Sequence, residues 1–237
     1  MTKRKYEFVE GDERVVAPGI VAKRIRALVA IPALLWAPAV SPGELGGYIV
    51  QDKNLAQVSG NAWVYGDALV YGDAQVYGDA RVSGNAQVYG DARVSGNAQV
   101  SGNALVSGNA WVYGNAWVYG DALVYGDAQV YGDARVSGNA QVYGNAQVSG
   151  NALVSGNAQV SEKCSRTPVL ISGLRYTITI TDSHLRAGCQ CHPIEKWSTF
   201  TKDEIAAMDG KDALRFWPQL LALLATVRAS EVTEVAK

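Results

Sequence analysis

The chain has 237 residues and a formal charge of −1 at pH 7, which is the length of one or two domains. A charge so near zero argues against the basic surface on which nucleic-acid binding usually depends. The cysteines, at 164, 189 and 191, do not form the framework of a small secreted protein, so we expect a soluble cytoplasmic protein with reduced thiols.

The N-terminal segment, residues 1–50, contains one long apolar run, which reads IRALVAIPALLWAPAV from Ile25 to Val40. The run is shorter than a membrane span, contains two prolines and follows a segment of mixed charge, so we expect a buried strand and loop and no membrane segment. The glycines at 43, 46 and 47 are expected to let the chain turn into the next region.

Residues 51–161 repeat one six-residue phrase, V-(Y/S)-G-(D/N)-A-x. Valine occupies position 58 and every sixth position to 160, eighteen valines in all, and alanine stands two residues before each. Because side chains alternate along a strand, alanine and valine share one face, and the residues on either side of valine point the other way. Glycine followed by Asp or Asn is turn chemistry. Each hexad therefore predicts a short strand and a corner, stacked on its neighbours about 4.8 Å apart.

The hexads resemble the left-handed parallel β-helix of hexapeptide-repeat proteins, in which three hexads close one triangular coil. The resemblance implies an all-β repeat fold of about six coils, with an N-terminal cap and a C-terminal strand plus short α-helices. The segment GELGGYIVQDKNLAQVSGNAWV, with Gly188, Cys189, His192 and Trp197 in the tail, resembles a bacterial and prophage group often labelled hexapeptide-repeat transferases. That likeness implies a phage accessory setting and a homo-oligomer, either a trimer or a dimer.

Every third hexad shares a face, and one of the three faces is the most apolar and aromatic. We predict a contact surface there, either an oligomer seam or a docking face for the C-terminal helix. The alternative is ordinary stacking that stabilises neighbouring rungs. Three tryptophans on the other faces complete the candidate binding residues, which are Leu69, Tyr71, Tyr89, Leu105, Leu123, Tyr125, Tyr143, Trp63, Trp111 and Trp117.

No catalytic site is predicted in the repeats. Among the hexapeptide-repeat proteins that the hexads resemble, acyltransferases use a histidine on a coil as general base. Carbonic anhydrases of the same fold bind zinc with histidines on the coils. Residues 51–161 contain no histidine, no cysteine and no lysine after Lys53. We therefore expect no cofactor and look for specific chemistry outside the coils.

The C-terminal segment, residues 162–237, mixes strand and helix signals. Tyr176–Thr181 alternates as one strand, and Thr201 with Glu204 has capping-box spacing before a helix that begins near 202. Asp209 and Gly210 are expected to end that helix. Lys211–Trp217 then restarts it, with Pro218 opening a further turn of a leucine-rich helix that runs to about 228.

The tail also holds a cluster of soft and titratable side chains, at His184, Cys189, Cys191 and His192. Three interpretations stay open. The cluster is a weak candidate for a zinc site, because Cys and His are zinc ligands. It is a weak candidate for a catalytic thiol with His184 or His192 as base. It also fits a buried polar group that locks the strand to the helix.

These observations favour a non-enzymatic rigid scaffold or interaction protein that acts as a homo-oligomer and binds a protein of the host cell. One alternative is an acyltransferase-like or thiol-dependent enzyme with its site near His184, Cys189 and His192. The other is a small-ligand or nucleotide binder that uses Trp, Tyr and Arg side chains at subunit boundaries.

Overall fold

A computed structural model describes residues 4–35 and 37–235, with side chains as far as Val227. The chain forms two compact units that meet in sequence between Pro168 and Val169. Each unit is described by itself.

The first unit opens with three strands, β1 (Tyr6–Ala17), β2 (Ile20–Ala27) and β3 (Leu45–Ile49), and a short 3-10 helix at Asp52–Asn54. A series of two-residue strands follows: β4 (Trp63–Val64), β5 (Leu69–Val70), β6 (Gln75–Val76), β7 (Arg81–Val82), β8 (Gln87–Val88), β9 (Arg93–Val94), β10 (Gln99–Val100), β11 (Leu105–Val106), β12 (Trp111–Val112), β13 (Trp117–Val118), β14 (Leu123–Val124), β15 (Gln129–Val130), β16 (Arg135–Val136), β17 (Gln141–Val142), β18 (Gln147–Val148), β19 (Leu153–Val154), β20 (Gln159–Val160) and β21 (Lys163–Cys164).

These strands stack as three parallel faces of a β-solenoid. One sheet runs β3-β5-β8-β11-β14-β17-β20, a second runs β4-β7-β10-β13-β16-β19, and the third runs β6-β9-β12-β15-β18-β21. Each strand pairs with the strand one coil further along, so that Leu105 lies opposite Leu123 and Val106 opposite Val124. The predicted parallel solenoid of about six turns is confirmed, and the predicted left hand of its coil stays a prediction.

The inward side chains are alanine and valine, as expected from the alternation along each strand. Every valine from Val64 to Val160 has no exposed surface. Backbone groups of successive coils bond to each other, as where the Ser101 amide donates to the Val118 carbonyl at 2.9 Å. The corner glycines from Gly66 to Gly156 have φ between +59° and +74°, a region in which residues with a Cβ are strained. The hexad therefore has the same mechanical role at each turn.

The first hexad departs from the prediction. Val58 is 66% exposed, and Leu55 is fully buried in its place, bridged to Val76. The side chain of Gln57 turns to the N-terminal strand, where its Oε1 accepts from the Lys5 amide at 2.9 Å and its Nε2 donates to the Tyr6 carbonyl at 3.2 Å. The regular solenoid thus begins at Trp63, because contacts with the N-terminal strands take over the first hexad.

The N-terminal strands cover the first coil. β1 pairs with β2 and β2 with β3, both antiparallel, and β3 continues the first sheet in parallel with β5. Tyr6 donates its hydroxyl to the Leu55 carbonyl at 3.0 Å, and Lys5 donates its ammonium to the Ala62 carbonyl at 3.3 Å. These donors satisfy carbonyls that a bare end coil would expose.

The run from Ile25 to Val40 is only partly the buried strand and loop that its composition predicts. Ile25, Ile31 and Val40 are buried, whereas Leu35 is 94% exposed, and Trp36 lies outside the described residues. The prediction for the glycines also needs correction. Gly43 has φ +89°, but Gly46 and Gly47 serve close packing, because a Cβ on either would lie 2.6 Å from a neighbouring atom.

The second unit is a four-stranded antiparallel sheet with helices. Its strands, in the described part of the unit, are β22 (Val169–Ile171), β23 (Ile178–Ile180), β24 (His184–Ala187) and β25 (Gln190–Pro193), paired in that order. The sequence predicted one strand, at Tyr176–Thr181, and the centre of that strand is β23. The other three were missed, because strands of three or four residues leave too short an alternation to recognise.

Two helices follow, α1 (Ile194–Trp197) and α2 (Lys202–Val235). The capping box at the start of α2 is confirmed, since the Glu204 carboxylate accepts from the Thr201 amide at 2.7 Å and the Thr201 hydroxyl accepts from the Glu204 amide at 3.3 Å. The predicted break is also present, with Gly210 at φ +56°. Pro218 does not open a new turn but lies inside the helix. No helix in the described ranges is long and apolar enough to span a membrane.

Candidate functional site

The residues singled out on the apolar face of the solenoid lie together. We call the set Leu69, Leu105, Leu123, Tyr71, Tyr89, Tyr125 and Tyr143 the Leu–Tyr face. Its leucines occupy β5, β11 and β14, and its tyrosines follow the valines of β5, β8, β14 and β17. The three leucines are partly exposed and form one column, in which Leu105 and Leu123 stand on adjacent rungs and Gln87 separates Leu69 from Leu105.

The tyrosines of the Leu–Tyr face form two stacked pairs. The rings of Tyr71 and Tyr89 lie parallel with centroids 5.0 Å apart, and those of Tyr125 and Tyr143 lie 5.3 Å apart. Burial raises the pKa of the Tyr71 hydroxyl, and the neighbouring Tyr89 adds to the effect. Stacking holds these rings against the rungs, so the face presents a preorganised apolar and aromatic surface.

The tryptophans do not join the Leu–Tyr face. Trp63 is fully buried under the N-terminal strands, where its ring meets the edge of Tyr6 at a centroid distance of 6.3 Å. The prediction that Trp63 is a binding residue is therefore wrong, because the N-terminal segment packs on the coil at that point. Trp111 lies on the third sheet and Trp117 on the second, and both are partly exposed.

Trp111 and Trp117 are held by the same arrangement on their separate faces. Each indole donates to a serine on the preceding coil, Trp111 to Ser95 at 3.1 Å and Trp117 to Ser101 at 3.2 Å. Each ring also lies against the tyrosine two residues later, with centroid distances of 4.4 Å and 4.7 Å. The polar edge of each indole is thus satisfied internally, and the ring surface is what remains for a partner.

A hollow beside Trp117 brings polar groups next to the aromatic ring. It is lined by Gln99, Asn115, Trp117, Asp133 and Arg135. The Arg135 guanidinium lies 6.0 Å from the centroid of the Trp117 ring, which is at the outer limit of a cation–π contact. The hollow is a surface feature that spans three consecutive coils.

In the second unit, the β24–β25 hairpin carries the cysteine–histidine cluster and divides it. His192 lies opposite Leu185, which is buried, whereas Cys191 lies opposite Arg186. Side chains alternate along a strand, so Cys191 and His192 point to opposite faces of the sheet. Cys189 is exposed in the turn. The four residues are close in sequence, but their side chains do not meet at one point.

His192 packs among aromatic rings. Its ring centroid is 5.4 Å from that of Trp197 and 4.9 Å from that of Phe200, both edge-on, and its Nε2 lies 3.3 Å from Gln190 Oε1. Burial, with Lys196 and His184 nearby, lowers the pKa of His192 below its ordinary value of 6.5. His184 instead has its Nδ1 2.9 Å from the Ser183 hydroxyl. These contacts are those of a packed ring on the sheet.

The remaining weak candidates have ordinary surroundings. Gln190 Nε2 donates to the Cys189 sulfur at 3.9 Å. No group of three or more His, Cys, Asp or Glu side chains is arranged to hold a metal in the described part of the chain. Cys164 belongs to the solenoid, where it is buried opposite Val148.

The sequence did not predict an aromatic cavity that lies in the second unit, beside the β24–β25 hairpin. Its walls include Phe216 and Trp217 from α2, Tyr176 before β23, and Trp197 from α1. One face of α2 is marked by the spacing of its apolar residues, which are Ala213, Phe216, Trp217 and Leu220. The sequence predicts a helix over Lys211–Trp217 and a leucine-rich stripe after Pro218, and neither pattern places Tyr176 opposite the helix.

The repeats match the family model described as YdcK Beta solenoid repeat over residues 56–72, 74–87, 86–100, 98–114, 128–144 and 146–162. A comparison with curated proteins gives no match. Together with the stacked coils, the first finding makes the chain a repeat β-solenoid protein. The transferase grouping and the prophage origin stay predictions.

Proposed function

We propose that this β-solenoid protein is a non-enzymatic rigid scaffold that assembles with copies of itself through the Leu–Tyr face. The observation that carries the proposal is the column of partly exposed Leu69, Leu105 and Leu123, flanked by two stacked tyrosine pairs. Leucine and tyrosine gathered in one strip are typical of contact surfaces.

The geometry of the face suits a second copy of the chain. Rungs repeat about every 4.8 Å, so two copies related by a two-fold axis bring the same spacing to both sides of the seam. Gln87 and Gln141 lie on the same sheet between or beside the leucines, and their amides supply hydrogen bonds across it. The face can then be buried with its polar groups paired.

The other faces are the part of the scaffold that remains available to a partner. Trp111 and Trp117 lie on sheets different from the Leu–Tyr face, with their indole donors already bonded. Assembly through the Leu–Tyr face would repeat these tryptophans at fixed spacing. A protein of the host cell is the partner that the likeness to the bacterial and prophage group suggests.

The absence of histidine from residues 51–161 supports a structural role for the solenoid. The side chains that its strands point outward are Gln, Arg, Leu, Trp, Tyr and Ser, of which none is a ready base near neutral pH. Its carboxylates lie at the corners, where asparagine side chains donate to several of them. In the second unit, Cys191 and His192 point to opposite sides of one strand, and His192 packs against Trp197 and Phe200. This separation argues against a Cys191 thiol with His192 as its base, because the two groups would need to lie on one side of the strand.

The test places positive charge at the centre of the Leu–Tyr face. The double variant Leu105→Lys/Leu123→Lys puts two ammonium groups on adjacent rungs of the Leu–Tyr face. Its matched control, Gln99→Lys/Gln129→Lys, adds the same charge to the other two sheets. We expect light scattering to give the mass of a monomer for the first variant and of the native oligomer for the control, with unchanged circular dichroism for both. An unchanged oligomer in the Leu105→Lys/Leu123→Lys variant would overturn the proposal.

A further inference from the structure

The second unit contains a cavity of about 260 Å³ between the β24–β25 hairpin and the two parts of α2. The lining residues that matter here are Tyr176, Trp197, Met208, Asp209, Phe216 and Trp217. Cavities of this size are at the lower end of those that hold small molecules. The volume is enough for a small head group and too little for a nucleotide.

Four aromatic rings contribute to the wall. Tyr176 meets Phe216 edge-on with centroids 5.1 Å apart, and Trp197 lies against Trp217 at 5.6 Å with an angle of 31° between the planes. Neighbouring rings set at such angles hold one another in place. The face of an aromatic ring carries partial negative charge, which attracts a cation.

Asp209 is the one charged side chain among the residues that line the cavity, and all of those residues lie in the described part of the chain. The break in α2 puts it there, because Asp209 has φ −157° and leaves the helix at this point. Its Oδ2 accepts a hydrogen bond from the Tyr176 hydroxyl at 2.6 Å. This neutral donor holds the carboxylate in place.

A neighbouring ion pair holds Arg175, whose guanidinium also interacts with the charge of Asp209. Arg175 bonds to Asp212 at 2.5 Å and lies 5.9 Å from the centroid of the Tyr176 ring. Neither Arg175 nor Asp212 lines the cavity. Asp212 is therefore the carboxylate that pairs with Arg175 outside the cavity, whereas Asp209 is the carboxylate that lines it.

We propose that this cavity binds a small organic cation, a free solute that carries a substituted ammonium group, between the rings of Tyr176, Trp197, Phe216 and Trp217 and the carboxylate of Asp209. Methyl groups on the nitrogen suit apolar walls, and the positive charge suits the ring faces and the single carboxylate. The inference is independent of self-assembly, because it concerns the second unit and a different set of residues.

Calorimetric titration of the full chain with choline, and with its neutral analogue 3,3-dimethylbutan-1-ol, tests the charge directly. The two probes have the same shape. We expect choline to bind at submillimolar to millimolar concentration and the neutral analogue to bind about 10-fold more weakly. Equal binding of both probes, or no binding of choline at millimolar concentration, would overturn the proposal.

Variants then assign the site. Asp209→Asn keeps an acceptor for the Tyr176 hydroxyl and removes the charge, and we expect it to weaken choline binding about 5- to 10-fold. Asp203→Asn, which removes an exposed carboxylate of α2 that does not line the cavity, is the matched control and should leave the affinity unchanged. An equal effect of both variants would place the cation outside the cavity and count against the proposal. Stronger binding to phosphatidylcholine vesicles than to choline would overturn the assignment to a free solute.

Discussion

The side chain of Asn115 donates from Nδ2 to Oδ1 of Asp133, one coil further along the same corner, at 2.9 Å. One coil earlier on the same corner, the Asn97 side chain donates to that of Asn115 at 3.0 Å, which continues the pattern. Equivalent bonds run from Asn103 to Asp121 and from Asn109 to Asp127. Asparagine is therefore the donor that separates carboxylates stacked along the edges of the solenoid.

Asn115→Asp is expected to destabilise the solenoid at low ionic strength. The change removes the donor to Asp133 and sets two carboxylates about one rung apart, a cost on the order of 1 kcal/mol at an exposed corner. Denaturant unfolding measures the loss, and added salt should reduce it.

The last position of another corner gives the control for this charge effect. Asn157 accepts from Asn139 at 3.3 Å, and a carboxylate at 157 is an equally good acceptor, so Asn157→Asp should leave stability nearly unchanged. If Asn115→Asp proves as stable as the wild type in dilute buffer, the donor role of Asn115 is wrong.

Gly102→Ala tests the close approach of the coils at the corners. Gly102 has φ +70°, and a Cβ there would lie 2.9 Å from the amide nitrogen and the carbonyl oxygen of Gly120. Gly11→Ala is the matched control, because Gly11 has φ +79° and open space around the site of a Cβ. We expect about 1 kcal/mol of lost stability for Gly11→Ala from backbone conformation alone. The loss for Gly102→Ala should be larger by at least about 1 kcal/mol, because backbone atoms must move.

Thermal unfolding of the two glycine variants decides the point. Equal losses of stability would mean that the coils have room for a methyl group at the corners, against the packing described above.

The buried lysine of the N-terminal cap predicts a pH dependence. Burial, with the guanidinium of Arg81 nearby, lowers the pKa of Lys5 from 10.5 to about 8, and Asp79 acts weakly in the opposite direction. Between these values the unfolded chain binds the proton more tightly than the folded chain, so folding is favoured more as the pH rises. The wild type should therefore gain stability relative to Lys5→Met from pH 8 to pH 10.

Unfolding free energies of the wild type and Lys5→Met across that pH range give the comparison. Lys53→Met, which replaces an exposed lysine, is the control for a lost charge at the surface. Parallel curves for the wild type and Lys5→Met would contradict the burial of a charged Lys5.

The repeated hexad carried enough information to predict the solenoid, its three faces and the residues on each. A fixed period with alanine and valine on one side leaves one way to bury every valine. The prediction failed at the first hexad, where Val58 is exposed and Leu55 buried, because Gln57 bonds to the N-terminal strand, 51 and 52 residues away in sequence, and these contacts override the period.

The Leu–Tyr residues were placed on one face correctly for the same reason, since position within the repeat decides the face. Trp63 has the same repeat position as Trp117 but is buried by a segment far away in sequence, which periodicity cannot report. The aromatic cavity was missed because it depends on Tyr176 meeting Phe216, a contact between a loop and a helix that no local pattern encodes.

Sedimentation velocity of the native chain over a concentration series tests self-assembly most directly. One chain has a mass of 25.2 kDa, and pairing through the Leu–Tyr face predicts a species of about twice that mass at micromolar concentration. A single species of 25.2 kDa at every concentration would contradict it.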